Sequence, residues 1–274
     1  MIETFTGARV AVTGGSTGIG LALARRMARD GARISLCGLE AASVARARAQ
    51  LESDGAAEVR AQALDITEDG ALECWVGDTV AAFGGLDVGW NNAGVMATGA
   101  PVHAMNEADY ARVMAVNLHA VFRGSQLFAR RMMAQDTPGL LLNTGSENSL
   151  FLAVPGGGAA YVASKMAVRG LTESLRHELP ARIGVKLLCP GFVDTPLGPQ
   201  AQMRHGMDVE RFADIVYPQL LEPERFYVAS HGFNAVRIRE QVGAMLRDVE
   251  SGAAGADETA RYDVRALMAG RPRS

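Results

Sequence analysis

The chain has 274 residues, of which 48% are hydrophobic and 21% charged, so it has the apolar content of a folded protein and not of a disordered one. A net charge of -3 gives no general attraction to nucleic acid or to an anionic membrane. The 3 cysteines, Cys37, Cys74 and Cys189, are widely spaced and odd in number, which argues against a disulfide scaffold and a zinc site alike. No metal site is expected. The N-terminus lacks the basic and apolar regions of a leader, and no apolar run approaches the length of a membrane span. A reducing cytoplasm is therefore the expected location. The 27 basic residues divide into 25 arginines and two lysines, Lys165 and Lys186, a skew of coding composition that makes each lysine worth locating.

Short apolar runs alternate with longer segments of helical periodicity. Arg9–Thr13, Arg33–Cys37, Glu58–Ala63, Leu86–Asn91, Leu140–Thr144, Val185–Cys189 and Arg225–Ala229 are predicted strands, Glu58–Ala63 being the least apolar. Ile19–Arg29, Ala42–Glu52, Leu72–Phe83, Glu107–Met133, Ala160–Leu179 and Ala235–Val249 are predicted helices. This alternation predicts an α/β fold, a doubly wound, three-layer Rossmann-type sheet of seven parallel strands flanked by helices. Residues 1–250 are expected to form one domain and 251–274 a flexible extension, since SGAAGADE lacks large apolar side chains.

In such folds ligands bind beyond the carboxyl ends of the strands, where the winding reverses. The unusual polar and glycine-rich segments all fall there. TGGSTGIG follows the first strand, Asp65 the third, NNAG completes the fourth, TGSENS closes the fifth and CPGFVDT the sixth. In the first of these, Gly14 permits a sharp turn, Gly18 a close backbone approach to a pyrophosphate, and Gly20 tight packing of helix on sheet. The spacing differs from GxGxxG, and the missing Gly-Lys-Ser/Thr argues against a nucleoside triphosphatase loop.

Tyr161 and Lys165 lie four residues apart at the start of a helix, so both side chains reach a common point. A phenol titrates near ~10 in water, and an adjacent ammonium favours its ionised form. The pair is thus suited to exchanging a proton with an alcohol or ketone oxygen. With so few tyrosines and lysines, an accidental match at this spacing has a chance of about 4%.

Together, Thr13-Gly-Gly-Ser-Thr-Gly-Ile-Gly20, Asn91-Asn-Ala-Gly94, Asn117, Ser146, Tyr161-Val-Ala-Ser-Lys165 and Pro190-Gly191 resemble the short-chain dehydrogenase/reductase family over about residues 5 to 230. The resemblance implies an NAD(P)-dependent oxidoreductase. It implies that Tyr161 is the acid/base, that Lys165 lowers the phenol's pKa and holds the nicotinamide ribose, and that Ser146 bonds the substrate oxygen. Asn117 matches the asparagine whose backbone carbonyl holds a relay water. The cofactor-binding positions carried over are Gly14, Ser16, Thr17, Gly18, Ile19, Gly20, Gly38, Asp65, Ile66, Asn92, Ala93, Gly94, Tyr161, Lys165, Pro190, Gly191, Val193 and Thr195. Asp65 and Ile66 correspond to the pair flanking adenine, Asn92–Gly94 to the segment against its ribose, and Thr195 to the carboxamide contact.

Two features depart from the family pattern. The interval from Ser146 to Tyr161 is two residues longer than the family's common spacing, leaving Asn148 and Ser149 as competing donors; Ser146 is favoured because extra length is absorbed more easily in the run Gly156–Gly158. At the end of the second strand Gly38 replaces the aspartate usual in NAD enzymes, Leu39 stands where NADP enzymes often have arginine, and Glu40 reads as a first-turn acid of the next helix. The cofactor is NADP or NAD, with the missing acid tilting the choice to NADP.

Residues 195–223 are expected to form a mobile lid over the substrate, carrying Met203, Met207, Phe212 and Tyr217. With Met96, Phe151, Leu152 and Phe192 they suggest a bulky apolar or aromatic secondary alcohol or its ketone. His205 and His231 read as surface residues. The long helices match the faces through which the family forms homodimers and homotetramers. A catalytically silent dinucleotide-binding sensor is the alternative. A methyltransferase would leave Tyr161 with Lys165 unexplained.

Overall fold

The computed structural model describes residues 1–153 and 158–252, together with 255, 259, 260 and 263–265. The glycine run at 156–158 and the extension at 251–274 lie mostly outside the described residues. Two compact units are present, Met1–Gly232 and Phe233–Ser274. The division thus precedes the last helix, whereas the sequence places the break near residue 250. The apolar periodicity of that helix runs on without a composition change, so nothing local marks the boundary.

Within the first unit, strands β1 (Arg9–Thr13), β2 (Arg33–Gly38), β3 (Glu58–Ala63), β4 (Val88–Asn91), β5 (Gly139–Thr144), β6 (Ile183–Cys189) and β7 (Tyr227–Ala229) form one sheet of order β3-β2-β1-β4-β5-β6-β7. Every pairing is parallel. The winding reverses between β1 and β4, which puts the crevice beyond Thr13 and Asn91.

The helices are α1 (Gly18–Arg29), α2 (Ala41–Ser53), α3 (Ala71–Phe83), α4 (Glu107–Met114), α5 (Ala120–Met133), α6 (Ala159–Glu178), α7 (Gln200–Met203) and α8 (Val209–Val216), with α9 (Asn234–Gly252) in the second unit. Side chains of the sheet alternate between two cores. Val10, Val12, Ile34 and Leu36 pack with α1, α2 and α8, whereas Ala11, Cys37 and Leu141 pack with α3, α5 and α6. These are the three expected layers.

Departures from the expected boundaries have local causes. Strand β4 starts after Leu86 because the Gln135 amide takes both backbone groups of that residue, at 2.7 and 2.9 Å. Strand β7 starts after Arg225 because the buried Lys186 ammonium takes the carbonyls of Glu222 and Arg225, each at 2.5 Å. This second lysine is a structural staple, and burial lowers its pKa to about 8. The predicted helix Glu107–Met133 is divided by a π-turn, Ala115–His119, across which the Ala120 N–H reaches the Ala115 carbonyl.

The expected lid is corrected over its second half. Residues Phe212, Val216 and Leu220 are fully buried in the core on the α1 side. Helix α8 is tied to α1 by Arg26, which reaches Glu210 at 2.9 Å and Asp214 at 2.5 Å, and by Arg25 to Glu210 at 3.0 Å. Tyr217 stacks on Phe5 and bonds Asp30. Apolar residues in a lid and in an amphipathic core helix look alike in sequence, and packing on α1 decides here. Phe212→Ala is therefore expected to destabilise the protein by about 3–5 kcal/mol in urea unfolding. A loss under about 1 kcal/mol would return Phe212 to the lid.

Candidate active site

The carboxyl ends of β1, β4 and β5 are fastened to one another by side chains that the motifs supply. Thr13 Oγ1 accepts from the backbone N–H groups of Asn92 at 3.0 Å and Ala93 at 3.2 Å. The Asn92 amide donates to the Gly14 carbonyl at 2.9 Å, and its oxygen accepts from Thr144 Oγ1 at 3.2 Å. Below these, the Asn91 amide donates to Asn143 Oδ1 at 2.8 Å, and Asn143 donates to Thr172 at 3.0 Å. Buried polar groups so fully paired fix the relative heights of the strand ends.

The glycine loop fits a pyrophosphate. A Cβ on Gly14 would stand 2.7 Å from Ala93 Cα, and one on Gly20 2.3 Å from the Gly14 carbonyl oxygen, so neither position admits a side chain. Gly18 has φ +52° and faces Thr195. Helix α1 starts at Gly18 with Thr17 as N-cap, makes no side-chain cap bond there and has no acid in its first turn. Its N-terminal N–H groups and positive dipole end therefore suit an anion. Ile19 follows within the first turn, partly buried against the core.

Tyr161, Lys165 and Ser146 converge beside this loop. The Lys165 side chain is buried, donates to the Thr144 carbonyl at 2.8 Å and lies 5.7 Å from the centre of the Tyr161 ring. Burial lowers its pKa to about 8. Burial also pushes the Tyr161 phenol up; a hydrogen bond with Ser146 opposes this and the Glu147 carboxylate reinforces it. The Lys165 ammonium is engaged by the Thr144 carbonyl, and burial outweighs the influences that favour the phenolate. Ser149 is directed elsewhere, donating to the Lys165 carbonyl at 2.6 Å and accepting from the Ser146 N–H at 3.1 Å. Asn148 is used in the loop, its side chain accepting from Ala153 N–H at 3.1 Å.

Asn117 is fully buried at the centre of the π-turn. Its amide brackets Val95, accepting from the N–H at 2.8 Å and donating to the carbonyl at 2.9 Å, and reaches Ser164 at 3.2 Å. It thereby joins the loop after β4 to α6. A Cβ on Gly94 would lie 3.7 Å from Lys165 Nζ, which places that glycine at the same centre.

Other carried-over positions differ in what their side chains do. A Cβ on Gly38 would stand 2.3 Å from Ser16 Oγ, so Gly38 serves close packing against the glycine loop. Asp65 Oδ1 accepts from Thr67 N–H and Oγ1 at 2.8 and 2.7 Å, closing its own turn, with Ile66 buried next to it. The Pro190 carbonyl accepts from Glu147 N–H at 2.7 Å. Val193 is in the core and pairs with Met207, leaving only its backbone for a ligand. Thr195 is buried, with its Oγ1 accepting from Leu197 N–H at 3.4 Å.

Two residues near the centre were given no part in the site from sequence, His231 reading there only as a surface residue. A Cβ on Gly191 would lie 2.6 Å from His231 Nδ1 and 3.0 Å from Glu147 Oε2, so imidazole and carboxylate flank the same glycine. His231 is half-buried, and its Nδ1 is 2.7 Å from Ser230 Oγ. Its distance in sequence from every motif hid it, whereas Glu147 could have been found from its position directly after Ser146. Among the described residues no acid, cysteine and histidine cluster suits a metal ion, and no helix is long and apolar enough to cross a membrane.

A Rossmann-type parallel sheet with an anion-binding glycine loop and a Ser-Tyr-Lys cluster at its switch point defines a dinucleotide-dependent oxidoreductase. Residues 8–205 match the family model described as short chain dehydrogenase, and the chain belongs to that family. It is 34% identical over 250 residues to 1-deoxy-11-beta-hydroxypentalenate dehydrogenase of Streptomyces arenae, covering 87% of each chain. Identity to levodione reductase of Leifsonia aquatica is 32% over 196 residues, covering 70% of this chain and 72% of that one. A short-chain dehydrogenase/reductase of Burkholderia phymatum, solved in complex with NAD, superposes with a TM-score of 0.80 at 29% identity, covering 89% of this chain and 97% of that one. The family uses NAD(P).

Because the Glu147 carboxylate raises the Tyr161 pKa, Glu147→Gln should lower it. Alcohol oxidation rising with pH as the phenol loses its proton should then rise at lower pH in the variant; an unmoved profile of kcat/KM would remove Glu147 from the electrostatics. Ser146→Ala should cost about 10²-fold or more in kcat, and Ser149→Ala should act mainly on stability. The reverse order in initial rates would exchange their roles.

Proposed function

We propose that the protein transfers hydride between NADP or NAD and a bulky, apolar or aromatic secondary alcohol or its ketone. The observation that carries this is Lys165 anchored on the Thr144 carbonyl and set against the Tyr161 ring at the ligand edge, with Ser146 beside the phenol. When bound, the nicotinamide supplies the hydride acceptor or donor. In the oxidative direction the Tyr161 phenolate takes the hydroxyl proton. Ser146 donates to the substrate oxygen, which holds the reacting carbon in place. Lys165 favours the phenolate by its charge and presents further N–H donors to the ribose. In reduction the phenol returns the proton to the oxygen.

The cofactor's phosphates would lie on the N–H groups of the Gly14–Gly20 loop, and its adenine beside Asp65 and Ile66. Lack of an acid at Gly38 removes repulsion of a 2′-phosphate and supports NADP. For the substrate, Met96, Leu152, Phe192 and Leu197 are exposed in segments that follow β4, β5 and β6, where they offer apolar contact. The relatives named for a hydroxypentalenate and for levodione support interconversion of a secondary alcohol and a ketone. Exposed Phe122 and Met133 on α5 and Met166 on α6 support assembly as a homodimer or homotetramer, and the free thiols of Cys37, Cys74 and Cys189 support a reducing cytoplasm.

Absorbance at the nicotinamide band, with purified protein and a panel of apolar secondary alcohols and ketones, is expected to show turnover with NADP favoured over NAD. Tyr161→Phe and Lys165→Arg should each lose about 10²–10⁴-fold in kcat/KM, the latter because a guanidinium does not fit the buried ammonium site. Turnover confined to small charged hydroxy acids would overturn the substrate class, and a twentyfold preference for NAD the cofactor. Tight cofactor binding with no turnover would favour the silent sensor.

A further inference from the structure

In the second unit, α9 displays Val242, Met245, Leu246 and Val249, which are 45%, 58%, 53% and 64% exposed. Their spacing of i, i+3, i+4 and i+7 makes them one continuous apolar face, the pattern by which a helix buries itself against another. Four adjacent exposed apolar side chains on a 19-residue helix call for a partner.

Charge on the flank of that face says which partner. At 100° per residue, Arg239 and Glu250 fall about 20° apart on the same side of the stripe. Neither forms an ion pair among the described residues, whereas the neighbouring Arg237 is engaged by Glu240 at 3.0 Å and by the Phe233 ring. One end of the flank is therefore basic and the other acidic.

We propose that α9 is an interface between two copies of this chain, packed antiparallel about a twofold axis through the middle of the stripe. Such an axis sets Val242 of one copy against Val249 of the other and Met245 against Leu246. It keeps the charged flank on the same side in both copies. Arg239 of each copy then faces Glu250 of the other, offset along the helices by about 3 Å, within reach of an arginine side chain. A parallel pair would instead put the two charged flanks on opposite sides of the apolar seam, where neither Arg239 meets Glu250. Because this one helix carries both the apolar face and the complementary charges, a second copy satisfies it without a foreign partner. One pair of helices of about 28 Å is small beside the ~1,600 Å² of a standard interface, so the contact is dissociable unless other faces add to it.

Sedimentation equilibrium of the full chain tests this without any need for turnover, so the result stands apart from the proposed activity. The wild type should self-associate, and Val242→Asp with Met245→Asp should weaken association by roughly a hundredfold or remove one step of it. Arg239→Glu alone should weaken it about tenfold through two symmetric repulsive pairs, and adding Glu250→Arg should restore it to within about threefold. The charge exchange leaves the apolar face intact, so it reads out the register even if the aspartate variant misfolds. A monomeric wild type, association indifferent to the aspartates, or a charge exchange that fails to restore it would each overturn the proposal.

Discussion

The site depends on one buried charge. The Lys165 ammonium sits on the Thr144 carbonyl, at the end of β5, in a place where solvation of a cation is poor. Without that carbonyl and the neighbouring aromatic ring the ammonium would lose its proton or leave the interior. With them it is held at a pKa of about 8, still largely charged at neutral pH. The carbonyl is available because β5 ends there, and β5 ends there because the parallel ladder with β6 stops at Thr144.

From that anchor the remaining geometry follows in both directions. Ser149 fixes the backbone of Lys165 from the loop after β5, and Ser146 in the same loop meets Tyr161 one helical turn before Lys165. Thr144 also bonds Trp90 and Asn92 on β4, and Asn92 in turn bonds Gly14 after β1. The Tyr161 and Lys165 pair and the glycine loop are therefore parts of one polar network, and movement of any strand end changes the distance between them. Asn117 extends the network through Val95 and Ser164 to α4 and α5, where the π-turn accommodates its inward amide.

Two electrostatic features distinguish this centre from a bare tyrosine and lysine. The phenol is held up by burial and by the Glu147 carboxylate, so the resting hydroxyl keeps its proton. His231 shares the neighbourhood of Gly191 with that carboxylate. A change of charge beside Glu147 therefore changes the phenol's proton affinity. Arg25 and Arg26 hold α8 on α1 through Glu210 and Asp214.

Composition and periodicity alone determined the seven strands, their alternation with helices and the edge on which the polar motifs gather, because each is a local property of period 2 or 3.6. The glycine loop and the Tyr161 and Lys165 pair were legible for the same reason: their chemistry depends on residues adjacent or one turn apart. Three things were decided only in the tertiary structure. Ser146 and not Ser149 meets Tyr161, since the capped turn Glu147–Ser149 rotates the second hydroxyl toward the Lys165 carbonyl. Phe212 belongs to the core and not to a lid, since Arg26 holds its helix on α1. His231 stands beside Gly191 although distant in sequence. Each is a choice among contacts of similar local cost, settled by which element the chain brings alongside.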